Sequence, residues 1–144
     1  MNPARLMPLL HRAQQQEDQA ARTLAQQQQT LHQHQQRLAE LHRYREEYTA
    51  VPTAFSHLGQ VLSYRSFVQR LNHAIQQHTR HTQQQHAQVH TQRQHLLAAR
   101  QATQKLEQLL QQGRTRQQHI QARHTVRQLD DVAAYRTFCS QHCL

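Results

Sequence analysis

Alternating steps of three and four residues link the apolar positions of this chain for most of its length. In the first segment they pass through Leu6, Leu10, Ala13, Glu17, Ala20, Leu24, Gln27, Leu31, His34, Leu38, Leu41, Arg45 and Tyr48. Leu24, Leu31 and Leu38 stand seven apart in a single column. A mean repeat of 3.5 residues is the period of an α-helix that buries one stripe against a partner helix. The Val51-Pro52 pair stops the first run, because proline disfavours a helical residue before it. The repeat returns through Leu71, Ile75, His78, Thr82, Gln85, Val89, Gln92, Leu96, Ala99, Thr103, Leu106 and Leu110. Gly113 weakens it, and it resumes at Ile120 and fades through Arg127 towards Ala134.

This pattern predicts an all-α fold, a two-helix antiparallel coiled-coil hairpin whose second helix is the longer. The expected layout is one domain over 1–144, with helix one at about 3–50, a connector at about 51–62, helix two at about 63–136 and a short tail at 137–144. Gly59 falls in the connector, and Ser63 or Ser66 is the expected cap of helix two, the latter with Gln69 in capping-box spacing. At 1.5 Å per residue, helices of about 48 and about 73 residues span roughly 70 and 110 Å. The second therefore overhangs the first or bends back.

Composition excludes the thicker alternatives. Only 36% of the chain is hydrophobic, 5% is aromatic and tryptophan is absent, which leaves too little to fill a sandwich, a barrel or an α/β enzyme core. The 31 glutamines, with leucine and alanine, favour helix. Glutamine, histidine and threonine also occupy much of the seam between His78 and Gln92, which predicts a marginal coil that gains order on a larger partner. No apolar run is long enough to span a bilayer, and the stretch Met1–Leu10 is too short for a secretory core. Cys139 and Cys143 close only a trivial loop and give no sign of an oxidising compartment, so the expected location is cytoplasmic.

Charge comes next. The formal net charge is +9, and no acid lies between Glu47 and Glu107, where Arg65, Arg70, Arg80, Arg93, Arg100 and Lys105 do. Such a surface attracts an acidic partner. The basic residues form no compact block and no aromatic platform accompanies them, which favours an acidic protein over nucleic acid. His86 with His90 and His78 with His81 can each chelate an ion, but a zinc site needs three or four convergent ligands. Cys139, His142 and Cys143 are one ligand short of a closed site and sit in a tail expected to fray. No metal and no cofactor is expected.

Gly59 and Gly113 are too isolated to cradle a phosphate. Glu46-Glu47 and Asp130-Asp131 are adjacent in sequence, so each pair diverges on a helix. Neither catalysis nor a small-molecule substrate is implied. The aromatic residues cluster instead: Tyr44, Tyr48, Tyr64 and Phe67 flank the connector and Phe55 lies within it. Tyr44 and Tyr48 stand four apart, as do Phe67 and Leu71, and Ala74 and His78. In a hairpin these pairs form one apolar-aromatic patch at the turn, either a local core or a docking hot spot.

The stretch from Arg37 to Tyr48 carries Leu38, Leu41, Tyr44, Glu47 and Tyr48 in the order of the "L..L..Y..EY" signature of the FliJ family, small flagellar export proteins. Phe67, Leu71, Ala74, Ile75, Gln77 and His78 are similar to that family's "F...L..AI.QH" segment. Asp130-Asp131 resembles its acidic doublet, and Leu6, Leu9, Leu10 and Glu17-Asp18 resemble its opening. The resemblance implies a non-enzymatic type III export component, peripheral to the inner membrane at the flagellar base. It implies three partners: the hexameric export ATPase, the cytoplasmic domain of the export-gate membrane protein, and export chaperones. It further implies that Leu41, Tyr44, Tyr48, Phe67, Leu71, Ala74 and His78 form the gate-binding patch, with the opposite end entering the ATPase ring. The glutamine and histidine richness and the Cys-His-Cys tail depart from the family. The alternatives from other classes are the stalk of a virulence-type injectisome and a basic nucleic-acid-associated coiled coil.

Overall fold

The computed structural model of the chain describes residues 2–50 and 58–142. Two helices carry almost all of them, α1 over Pro3–Ala50 and α2 over Leu58–His142, of 48 and 85 residues. They run antiparallel as a helical hairpin, and two compact units are built from them: Glu17–Ala98, and Met1–Gln16 with Ala99–Leu144.

α1 begins with a side-chain cap. The Ala4 N–H donates to Asn2 Oδ1 at 3.1 Å and the Arg5 N–H to the Asn2 carbonyl at 3.0 Å. Asn2 therefore satisfies two of the otherwise unpaired first-turn donors, with Pro3 at the position where its missing N–H costs nothing. Pro8 lies inside the helix. Its ring displaces the bond to the Ala4 carbonyl, but both residues are exposed, so that carbonyl remains open to water.

The unit Glu17–Ala98 shows how a seam rich in polar residues closes. Gln85 Nε2 donates to the Gln27 carbonyl at 3.2 Å, and Gln92 Nε2 to the Ala20 carbonyl at 3.3 Å. Seven residues forward on α2 thus match seven back on α1, the register of an antiparallel coiled coil. Leu71, Ile75, Val89 and Leu96 supply the buried apolar layers, Val89 at only 3% exposure. The threonines hold their hydroxyls on their own helix, as Thr82 Oγ1 does on the His78 carbonyl at 2.8 Å. Satisfaction is incomplete: Gln27 Oε1 and His78 Nδ1 are buried with no hydrogen-bond partner.

In the other unit Leu6 and Leu10 are buried with Leu110, and Leu106 packs against them. Thr103 is buried and its hydroxyl donates to the Ala99 carbonyl at 3.1 Å. Past Gly113 the first turn of α1, at Pro3 and Leu6, still shares a cavity with Arg116, Gln117 and Ile120 of α2, and every described residue of α2 from 121 to 138 is exposed. The seam expected to resume at Ile120, Arg127 and Ala134 is solvent-exposed, because the start of α1 has already been matched by Leu106 and Leu110.

The helix ends also depart from expectation. α2 starts at Leu58, so residues 58–62 are helical and Ser63 and Ser66 are interior; Ser66 Oγ accepts from Arg70 at 3.2 Å. Nothing after Pro52 forbids helix, and Gly59 is helical without a positive φ. Val51, Pro52 and Phe55 lie outside the described residues. At the other end the helix runs through the expected tail to His142. Its last turn is held by the Phe138 and His142 rings, stacked at 4.2 Å, and by bonds from Ser140 to the Thr137 carbonyl and from His142 Nδ1 to the Phe138 carbonyl.

The apolar and polar seam positions make opposite contributions. Leu96→Ala is expected to destabilise the hairpin by about 2 kcal/mol, the low end of the core range because the seam is thin. His78→Leu, which removes the unpartnered Nδ1, is expected to stabilise it by about 1 kcal/mol. Denaturant titration followed by circular dichroism reads both; a His78→Leu variant less stable than the parent contradicts this account of the seam.

Candidate partner-docking site

Four carbonyls at the C-terminal end of any α-helix lack an intrahelical donor. At the end of α1 there is no basic side chain in the last turn to supply one. The Thr49 hydroxyl stays within α1, reaching the Arg45 carbonyl at 2.9 Å and that of Glu46 at 3.2 Å. The terminal carbonyl of Tyr48 is served from the other helix, by the Tyr64 hydroxyl at 2.9 Å. A tyrosine that reaches across the hairpin therefore ties the end of α1 to the first turns of α2.

The same contact fixes an aromatic pair. The Tyr48 and Phe67 rings lie with centroids 4.6 Å apart, tilted by 35°. Tilted pairs at this distance are favourable by about 0.5–1.5 kcal/mol beyond their area burial. Yet the pair is not a closed core: Tyr48 remains 45% exposed and Phe67 38%. Tyr44, one turn earlier on α1, is more exposed still, as are Leu58 and Leu62 at the start of α2. An apolar surface mounted on two helices and held by a cross-helix hydrogen bond is pre-organised for docking.

The seven residues expected at this patch separate into two groups. Tyr44, Tyr48 and Phe67 face solvent, and the structure brings the last two into direct contact. Leu41, Ala74 and His78 are half-buried and Leu71 is buried, so these four belong to the seam rather than to the exposed aromatic surface, with His78 eleven residues along α2 from Phe67. Two features have no counterpart in the sequence reading. The carbonyl cap by Tyr64 depends on where α1 stops, and the exposed Leu58 and Leu62 belong to a stretch read as connector.

Among the described residues the histidines form no convergent centre. No group of three or more potential metal ligands occurs among the described residues. His78 and His81 meet edge to face at 6.4 Å. His90 is engaged with Gln94 at 3.3 Å, one of three surface His-Gln pairs four residues apart, with His11-Gln15 and His32-Gln36. Cys139 is a half-buried free thiol and His142 stacks on Phe138; Cys143 lies outside the described residues. No helix among the described residues is long and apolar enough to cross a membrane.

Compared with known proteins, residues 1–141 match the family of the flagellar FliJ protein. No curated protein and no solved structure gives a match. The cross-helix bond yields a test of its own: Tyr64→Phe keeps the ring and loses only the hydroxyl. It is expected to cost about 1 kcal/mol and to loosen the end of α1, read as faster amide hydrogen exchange at residues 44–50. Unchanged exchange there argues against the cap.

Proposed function

The chain belongs to the flagellar FliJ family, and on that premise we propose how its two ends divide the work of an export stalk. As a member of that family it is a non-enzymatic component of flagellar type III protein export, cytoplasmic and peripheral to the membrane, and it interacts with the export apparatus. The finer assignment concerns which surface meets which partner.

The exposed Tyr48–Phe67 pair carries the reading for the turn end. Tyr44, Tyr48 and Phe67 form the contact surface for the cytoplasmic domain of the export-gate membrane protein, with Leu41, Leu71, Ala74 and His78 holding it in place. Aromatic anchors suit this role, since each covers a large area while losing few rotatable bonds. The opposite end, where the first turns of α1 lie with α2, is assigned to the ring of the hexameric export ATPase. Leu9 and Leu109 remain exposed there beside the buried Leu6 and Leu110, which supports a further apolar partner. Empty export chaperones are the third class of partner. The mechanism is coupling by binding energy, in which the hairpin stabilises the ATPase oligomer while its turn engages the gate.

ATP turnover by the export ATPase of the same organism, measured with and without this protein, tests the stalk assignment. Concentration-dependent stimulation together with larger ATPase oligomers is expected; no effect on either removes the assignment. For the turn, Tyr48→Ala and Phe67→Ala are each expected to weaken gate binding by at least tenfold, about 1.4 kcal/mol or more. Swimming should fall while helicity is retained. Normal motility in both variants would remove these residues from the gate contact.

A further inference from the structure

The seam of α2 keeps one phase from Val61 to Gly113: every position reached by its steps of three and four is buried or half-buried. The same phase continues beyond Gly113 through Ile120, His124, Arg127, Asp131, Ala134 and Phe138, all exposed, with Ile120 at 61% and Phe138 at 58%. The helix is unbroken to His142, so this stripe is presented continuously. Its residues are self-complementary in one arrangement. In a parallel pair of such helices each seam residue meets its own copy, so Arg127 faces Arg127 and Asp131 faces Asp131. Like charges meeting in this way oppose association.

In an antiparallel pair, the register that sets Arg127 opposite Asp131 does so twice by symmetry. It also sets Ile120 opposite Phe138 and His124 opposite Ala134, each twice. A slip of seven residues one way puts His124 against Arg127; a slip the other way puts Arg127 against Phe138. Only the first register joins opposite charges at the centre and the two large apolar side chains at the flanks. We propose that a second copy of this chain occupies this stripe, two α2 segments pairing antiparallel about the Arg127–Asp131 layers.

The pairing goes beyond the export contacts assigned above and uses none of the residues given to the gate. It covers α2 beyond Gly113 in the free protein, so a partner that needs this stripe must first separate the two copies. With two apolar layer pairs flanking a charged centre, the association is reversible and depends on concentration.

Sedimentation of the full chain over a concentration series, with circular dichroism on every variant, tests this. The parent chain is expected to follow a monomer–dimer equilibrium. Arg127→Asp alone and Asp131→Arg alone each oppose like charges and are expected to weaken association about tenfold or more, with the helix retained. Mixing these two variants restores opposite charges across the seam but not within either chain, so a mixed dimer as stable as the parent is expected. Ile120→Glu, which leaves the ion pairs in place and sets a carboxylate against Phe138, is also expected to weaken it. A parent chain that stays monomeric throughout overturns the proposal and leaves the stripe to a different protein. So does a mixture no more associated than its components, or an Ile120→Glu variant that dimerises like the parent.

Discussion

Two helices that pack only against each other have a single line of contact, and every other property of this hairpin depends on how that line is filled. Leu71, Ile75, Val89 and Leu96 hold it in one unit; Leu6, Leu10 and Leu110 hold it in the other. Between the apolar layers lie glutamine, histidine and threonine, which a thicker core would exclude. They are tolerated because Gln85 and Gln92 reach carbonyls of α1 and the threonines bond their own helix. The atoms that remain unsatisfied, Gln27 Oε1 and His78 Nδ1, cost stability.

At the turn, one hydrogen bond ties the end of α1 to α2 and holds the surface proposed for recognition. The Tyr48 carbonyl is an orphan created by the end of α1, and the Tyr64 hydroxyl answers it from α2. Once that bond positions Tyr48, its ring meets Phe67 and half of it still faces water. The aromatic surface is thus a consequence of how the helix terminates. Its exposure bears on the proposed gate contact, because side chains already held by the fold lose less conformational freedom on docking.

Much of this was legible in the sequence. Every seam position expected in α2 from Leu71 to Leu110, and in α1 from Leu6 to Arg45, is buried or half-buried. Tyr48 has the right phase and meets Phe67 of α2, yet its side chain stays largely exposed at the end of α1. The helix ends were less legible. Ser63 and Ser66 carry the chemistry of a cap, yet the helix forms before them because nothing from Leu58 onward opposes it. The expected tail is helical for a reason that spacing can suggest but not establish, the stacking of Phe138 on His142. For the seven candidate residues, the sequence placed them at one end of a hairpin; which of them face solvent depended on how the two helices rotate against each other.

Periodicity is a local property, and it alone determined that this chain forms two helices with one stripe each, running antiparallel through a short connector. It also determined the phase of the stripe, since a slip of one residue would expose the leucines. Register, coverage and termini are relations between two helices, and only the tertiary structure decided them. The Gln85–Gln27 and Gln92–Ala20 bonds fix which layers face, and the Leu6–Leu110 cluster fixes where α1 ceases to cover α2. A seam position is recognised from its neighbours at three and four residues. Whether it is buried depends on a helix from elsewhere in the chain covering it, and the start of α1, which reaches no further than the cavity it shares with Ile120, leaves residues 121–138 exposed.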